Sequence, residues 1–404
     1  MKTGWNLKGG RAARARGTAI ATLSGIAMAA AEAQGVVNAD LNTELAARAA
    51  AAGAPKYVVD PSWPKALPNN WIIGQVGGLA VDKHNHIWIN QRPRSNTADE
   101  LGADPKNGPR SQCCIAARSV MEFDQKGNLL QAWGGPGYVP EWPNNEHGIW
   151  VDKDDNVWVG DNGGGDRAIL KFTNSGKLLL VIGKPNDTSP QNNQDVTKLG
   201  QPAAMEVDDK AHEVYIADGY LNKRVVVYDS RTGAYKRGWG AYGQALATID
   251  NGTPPAYVNN ESVDPQFRNP VHCVRQSDDG YVYVCDRVNN RIQVFTKTGQ
   301  FLKEFFIRPA TLGNGSVWQL DFSNDPGQKF LLVADGENNV VWEVRRSDGL
   351  VASSFGRSGR NAGDFHWLHQ VGATTDGNFY TGEVDTAKRM QKFVLKNGPN
   401  DPNR

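Results

Sequence analysis

Cysteine is scarce, at four residues in a chain of 404, too few to build a disulfide scaffold. An excess of one charge is also missing. Lys and Arg number 44 and Asp and Glu 43, for a formal net charge of +1. A nucleic-acid-binding face needs a basic excess, so no nucleic-acid partner is expected. Long apolar runs are absent from the body of the chain and the mean hydropathy is −0.52, which argues against a multi-span membrane protein. Glycine, by contrast, is plentiful at 44 residues, above the average of about 7%, and this points to many turns between short elements.

Residues 1–33 differ from the rest. Lys2, Lys8, Arg11, Arg14 and Arg16 precede an uncharged, Ala-rich run over 17–31, and Ala31-Glu32-Ala33 follows. A basic start, a short apolar run and a small-x-small site form a secretory signal peptide pattern, with no adjacent Arg-Arg pair for the twin-arginine route. The expected location is periplasmic or extracellular, with no membrane span after cleavage. Residues 34–54 read as a linker or frayed helix, 55–397 as one domain, and 398–404 as a tail.

The domain is a repeat. Six segments share a short alternating strand, a turn with Asp, Asn or Gly, and a second strand, which in five of the six ends in an acidic residue. They are GGLAVDKHNHIWINQR from Gly77, HGIWVDKDDNVWVGDN from His147, AAMEVDDKAHEVYIADGY from Ala203, HCVRQSDDGYVYVCDR from His272, WQLDFSNDPGQKFLLVADG from Trp318 and HQVGATTDGNFYTGEV from His369. Third strands follow, as at 168–172, 224–228, 291–295, 340–344 and 389–394, and fourth strands end in glycine, as in LLLVIG and YKRGWG. Four short strands per unit, repeated radially, predict an all-β fold, a six-bladed β-propeller. The excess length falls in loops 93–118, 184–200 and 240–269. The unassigned strand at 57–63 is expected to complete the sixth blade and close the ring.

In a propeller the first strand of each blade lines the channel, so equivalent positions form a ring. That ring reads Gly77, His147, Ala203, His272, Trp318 and His369. His147, His272 and His369 occupy alternate blades and are expected to converge on one axial point. Three imidazoles with an open fourth position suit a catalytic zinc site, although ligand type alone also admits cobalt, iron or copper. A second register lies at the ends of the second strands: Gln91-Arg92, Asp161-Asn162, Asp218-Gly219, Asp286-Arg287, Asp335-Gly336 and Glu383-Val384. Its recurrent acids are expected to accept hydrogen bonds from loop backbone N–H groups. Arg92 and Arg287 break the pattern with cations at the channel mouth, and Tyr220 sits one place beyond the same register in blade three. Cys273 and Cys285 lie on neighbouring strands of one hairpin, either bridged or as two buried thiols; Cys113 and Cys114 are adjacent in a loop.

The chain resembles peptidyl-α-hydroxyglycine α-amidating lyases, secreted six-bladed propellers of the NHL-repeat type. The resemblance covers residues 74–395, and its most specific stretches are GQVGGLAVDKHNHIWINQR, NNEHGIWVDKDDNVWVGD, QPAAMEVDDKAHEVYIADGYLNKRVVVYD and VHCVRQSDDGYVYVCDRVNNRIQVF. It implies that His147, His272 and His369 bind a catalytic zinc, that Tyr220 is the essential tyrosine, and that Arg92 and Arg287 are the active-site arginines. It also implies a structural Ca²⁺ held by the backbone carbonyls of Leu79 and Ile149. Two pocket positions depart from the family. Gln370 stands where the family has a calcium-binding aspartate, and a neutral amide is a weaker Ca²⁺ ligand than a carboxylate. Trp367 stands where the family has methionine. Leu221 replaces a family cysteine.

The chemistry implied is cleavage of the C–N bond of a carbinolamide to an amide and glyoxylate. The metal polarises the substrate, Tyr220 accepts a proton and Arg92 clamps the carboxylate in bidentate fashion. The expected partner is a small-molecule or peptide-derived substrate, and the expected state a monomer. Two rivals remain at this stage. A propeller hydrolase or lactonase would carry calcium with Glu, Asn and Asp in the channel. A non-catalytic secreted propeller that binds a partner on one face would hold no metal.

Overall fold

The computed structural model describes residues 44, 45, 47–49, 52–259 and 264–398. The segment 1–33, read as a signal peptide, and the tail beyond Gly398 lie outside the described residues. Six four-stranded antiparallel sheets follow one another along the chain. Their first strands are Gln75–Val81, Glu146–Val151, Ala204–Asp208, Val271–Gln276, Gln319–Phe322 and Leu368–Ala373. Each of these strands touches the equivalent strand of the next sheet, and the last touches the first. The fold is therefore a closed six-bladed propeller.

Closure is made by the chain's two ends. Tyr57–Asp60 pairs antiparallel with Met390–Leu395, opposing Tyr57 to Leu395 and Asp60 to Lys392. The strand is shorter than the expected 57–63. Beyond it, buried Trp63 packs edge-on against Tyr380 of blade six and against Phe123 of blade one. Loop 93–118 contains a short strand, Ile115–Ala116, parallel to Trp71–Ile72. Leu45, in the stretch read as a linker, is buried in the apolar cluster between blades four and five.

The core consists of six clusters, one at each interface between neighbouring blades. A strand sandwiched between two neighbours must be apolar on both faces. Arg224–Asp229, RVVVYD, shows how: Val225 and Val227 face blade four, while Val226 faces blade two. The acids at the ends of the second strands tie these blades to their loops. Asp218 accepts from the Gly200 N–H and pairs with buried Arg224 at 2.7 Å. Asp286 accepts from the Arg268 N–H and pairs with buried Arg291 at 2.8 Å. Asp335 accepts from the Asn338 N–H, and Glu383 from the His366 N–H. Each of these acids thus satisfies loop donors that burial would otherwise leave unpaired.

Not every buried acid is so supported: among the described residues Asp161 Oδ1 has no hydrogen bond of good geometry, and Glu343 has none on either oxygen. Glu343, on the third strand of blade five, is 1% exposed and neither carboxylate oxygen has a hydrogen bond of good geometry. Burial pushes its carboxyl up to about 8, against a smaller opposing pull from Ser353. The folded state therefore keeps a proton that the unfolded chain releases near the usual carboxylate range, so stability falls as pH rises from about 4.5 to about 8. Glu343→Gln removes that dependence. In thermal or urea unfolding the variant should match the parent near pH 5 and exceed it by roughly 2 kcal/mol or more at pH 8; equal pH profiles would exclude this assignment.

Candidate metal centre

Backbone irregularity aims the three histidines. The pairing of first with second strands slips by one residue between Val271 and Cys273 and between Leu368 and Gln370, and is also irregular between Glu146 and Ile149. His272, His369 and His147 sit at these bulges. A bulge adds an unpaired residue and re-aims its side chain. Blade one slips in the same way around Gly77, and at the equivalent positions of blades three and five the Ala203 and Trp318 N–H groups bond to the Ala217 and Ala334 carbonyls just ahead of the regular pairing.

The three imidazoles meet. Ring centroids are 5.1 Å apart for His147 and His272, 4.7 Å for His147 and His369, and 5.0 Å for His272 and His369. One ligand nitrogen from each lies within 4.8 Å of the others, and all three residues are buried. Burial holds each well below the ordinary histidine range; for His147 and His369 the neighbouring imidazoles add to this, and Arg287 and Arg92 act in the same direction. The rings are therefore neutral, as metal ligands must be.

Their protons can be placed. His147 Nδ1 lies 2.6 Å from the Ala203 carbonyl and His272 Nδ1 contacts the Trp318 carbonyl. A carbonyl only accepts, so both Nδ1 atoms donate and both Nε2 atoms carry lone pairs. Those lone pairs face the Tyr220 hydroxyl, at 2.9 and 3.1 Å. One hydroxyl proton serves only one of them. An inward-facing set of imidazole nitrogens, two with their outer N–H groups pinned to carbonyls, fits a divalent cation such as zinc.

The cations lie on the same side. Arg92 ends the second strand of blade one; its Nε donates to the Glu146 carbonyl at 2.7 Å and its guanidinium to Gln75 Oε1 at 2.8 Å. Arg287 is buried, lies 4.3 Å above the Trp318 ring and 5.9 Å from the Tyr220 ring, and has an unpartnered Nε. Neither arginine forms an ion pair among the described residues. Trp318 also packs against His272, His369 and Trp367. Its size in a ring register otherwise held by Gly77, Ala203 and histidines is the sequence signal for a side chain that packs beside the imidazoles.

Two expected residues sit differently. Trp367 packs against Trp318, with a left-handed backbone (φ 55°) and its N–H donated to Asn339. Gln370, expected in the pocket, is instead buried behind His369, where its Nε2 donates to the Gly77 carbonyl at 2.9 Å. Leu79 and Ile149 lie on the adjacent first strands of blades one and two with buried side chains. Another cluster of metal-type donors, Asp82, His86 and Glu122, is occupied by internal bonds to Trp88 Nε1, to the His84 and His86 N–H groups and to Gln131.

No protein-family model matches the chain. Mouse NHL repeat-containing protein 3 is 30% identical over 303 residues, covering 72% of this chain and 68% of its own length. A probable peptidyl-α-hydroxyglycine α-amidating lyase of Caenorhabditis elegans is 24% identical, covering 80% of this chain and 83% of its own. Peptidyl-glycine α-amidating monooxygenase B of Xenopus laevis is 27% identical over 83% of this chain, which spans about a third of that protein's length (35%). A streptogramin B lyase structure aligns over 84% of this chain and 98% of its own at 11% identity, with a TM-score of 0.49.

A metal held by all three imidazoles should bind at one ion per chain in Zn²⁺ or Co²⁺ titration and raise the thermal midpoint by mass action. His147→Ala should abolish both effects, leaving a folded propeller; unchanged stoichiometry in that variant would exclude His147 as a ligand.

Proposed function

The chain belongs to the NHL-repeat protein family, and on that premise we propose that it is a metal-dependent carbon–nitrogen lyase. Its substrate would be a carbinolamide bearing a carboxylate, as in a peptidyl-α-hydroxyglycine. The observation that carries this reading is the pair of arginines without ion-pair partners, Arg92 and Arg287, beside a tyrosine hydroxyl that touches two imidazoles. Two guanidinium groups next to neutral imidazoles, neither in an ion pair among the described residues, suit an anionic group of a substrate. The relatives named as amidating lyases support this choice of reaction class.

A zinc-type cation held by His147, His272 and His369 would supply Lewis-acid polarisation of the substrate hydroxyl or carboxylate. The chain's own residues do the rest. Arg92, fixed by Glu146 and Gln75, orients the carboxylate. Tyr220, after giving up its own proton to solvent, takes the substrate hydroxyl proton as the C–O bond becomes C=O and the C–N bond breaks, and returns that proton to the leaving nitrogen. The electron pair moves to nitrogen, which takes up a proton, so an amide and glyoxylate leave in balance. Arg287, held over Trp318, stabilises the negative charge that develops on the substrate oxygen. Trp318 and Trp367 keep water from one side of the reacting atoms.

We assign the protein to an oxidising compartment, periplasmic or extracellular. All four cysteines are paired, Cys113 with Cys114 and Cys273 with Cys285, and disulfides persist in such compartments. Among the described residues no helix is long and apolar enough to cross a membrane.

Glyoxylate release from an N-acyl-α-hydroxyglycine by the zinc-loaded protein tests the reading. Tyr220→Phe removes a single hydroxyl and should lower kcat by about 10²–10⁴ while metal content is retained. Arg92→Ala should chiefly raise KM. Full activity of Tyr220→Phe would contradict the mechanism.

A further inference from the structure

The three imidazoles are not held alike. His147 and His272 each give their Nδ1–H to a backbone carbonyl of the following blade, Ala203 and Trp318 respectively. By the symmetry of the ring, the carbonyl that would serve His369 is that of Gly77 in blade one. That carbonyl is already taken by Gln370 Nε2, at 2.9 Å. The same Nε2 lies 3.1 Å from His369 Nδ1. The amide therefore stands between the third histidine and the acceptor its two counterparts use.

The orientation of that amide follows from its neighbours. The Leu320 N–H donates to Gln319 Oε1 at 3.0 Å, and Gln319 Nε2 donates to Gln370 Oε1 at 3.1 Å. Turning Gln370 over would set its oxygen against the Gly77 carbonyl and its N–H groups against those of Gln319. Gln319 cannot turn in response without opposing its own amide to the Leu320 N–H. Only one assignment gives every donor an acceptor. In it the second Nε2 hydrogen of Gln370 points at His369 Nδ1, which must accept. All members are buried, so water does not relieve a mismatch.

We infer that Gln370 is a positioning residue that holds His369 in the tautomer with its proton on Nε2, opposite to His147 and His272. The metal-free centre gains from this. The Tyr220 proton serves one of the two inward lone pairs on His147 and His272, and a proton on His369 Nε2 places one further donor near the other, the ligand nitrogens lying within 4.8 Å of one another. The centre has two ligands ready and a third that engages a cation only after its proton moves to Nδ1 and the Gln370 amide turns to accept it. Ligating histidines ordinarily donate their other N–H to a carbonyl, a carboxylate or water, and here the third is set against that rule by one side chain. The inference rests on the metal reading of the centre for its consequence, but not for the tautomer itself.

Long-range ¹H–¹⁵N correlation spectra of the metal-free, ¹⁵N-histidine-labelled protein decide it. The expected pattern is protonated Nδ1 at His147 and His272 and protonated Nε2 at His369. Gln370→Glu offers a carboxylate acceptor, so His369 should convert to the Nδ1–H form and the Zn²⁺ Kd should fall about tenfold or more, the usual reach of a residue behind a ligand. Gln319→Met releases the Gln370 amide and should lower the Kd in the same direction, whereas a merely structural role would raise it. Protonated Nδ1 at all three histidines of the parent, or weaker Zn²⁺ binding by a folded Gln319→Met variant, overturns the inference. A protein with the expected tautomers that releases no glyoxylate would instead refute the lyase reading and leave Gln370 in its role.

Discussion

The hydrogen bond from His147 Nδ1 to the Ala203 carbonyl joins a side chain of one blade to the backbone of the next, and His272 repeats it onto Trp318. Most of what the centre can do depends on this constraint. It fixes which nitrogen faces the axis, it makes both inward nitrogens lone-pair donors, and it brings them to the two sides of the Tyr220 hydroxyl. The first strands slip at the histidines, and the Ala203 and Trp318 carbonyls, at the equivalent positions of the following blades, are placed to accept from them. Ring closure through Tyr57–Asp60 keeps all six first strands in place, so a small shift at any interface would be felt at the axis.

Electrostatics then separates structural charge from chemical charge. The acids at the ends of the second strands are neutralised where they stand, Asp218 by Arg224 and Asp286 by Arg291, inside the blades. Arg92 and Arg287 have no such partner and lie toward the imidazoles, where they help to keep the rings uncharged. Buried guanidinium beside neutral nitrogen ligands is a poor arrangement for stability alone, since an unpaired charge loses hydration. It makes sense if an anion completes it. Trp318 supports the arrangement from below, carrying Arg287 on one face of a ring that also packs on two of the histidines.

The propeller and the ring of histidines were legible because both depend on period. Alternating strands, turn residues and a recurrent acid mark each blade, and the register that aligns the turns also aligns Gly77, His147, Ala203, His272, Trp318 and His369. The closing strand was visible as a segment without a partner, though its length was overstated: Pro61, which cannot donate to a ladder, follows its last residue, and Trp63, a strand-type residue, turns inward to fill the seam beside Tyr380. The bulges were not legible. They insert an extra residue without changing residue types, and only backbone pairing exposes them. The place of Gln370 was also hidden. Its neighbour in sequence faces the axis, and whether an adjacent amide lines a pocket or fills the space behind a ligand depends on contacts with Gly77 and Gln319, which lie 293 and 51 residues away.

The central claim is that three imidazoles from alternate blades form one metal centre on the propeller axis. X-ray absorption at the metal edge of the protein as purified from a metal-replete culture tests it most directly. The account predicts a first shell with three imidazole nitrogens at about 2.0–2.1 Å, with the multiple-scattering signature of histidine rings, and one further light ligand. A first shell without imidazole, or with oxygen ligands alone, would contradict it.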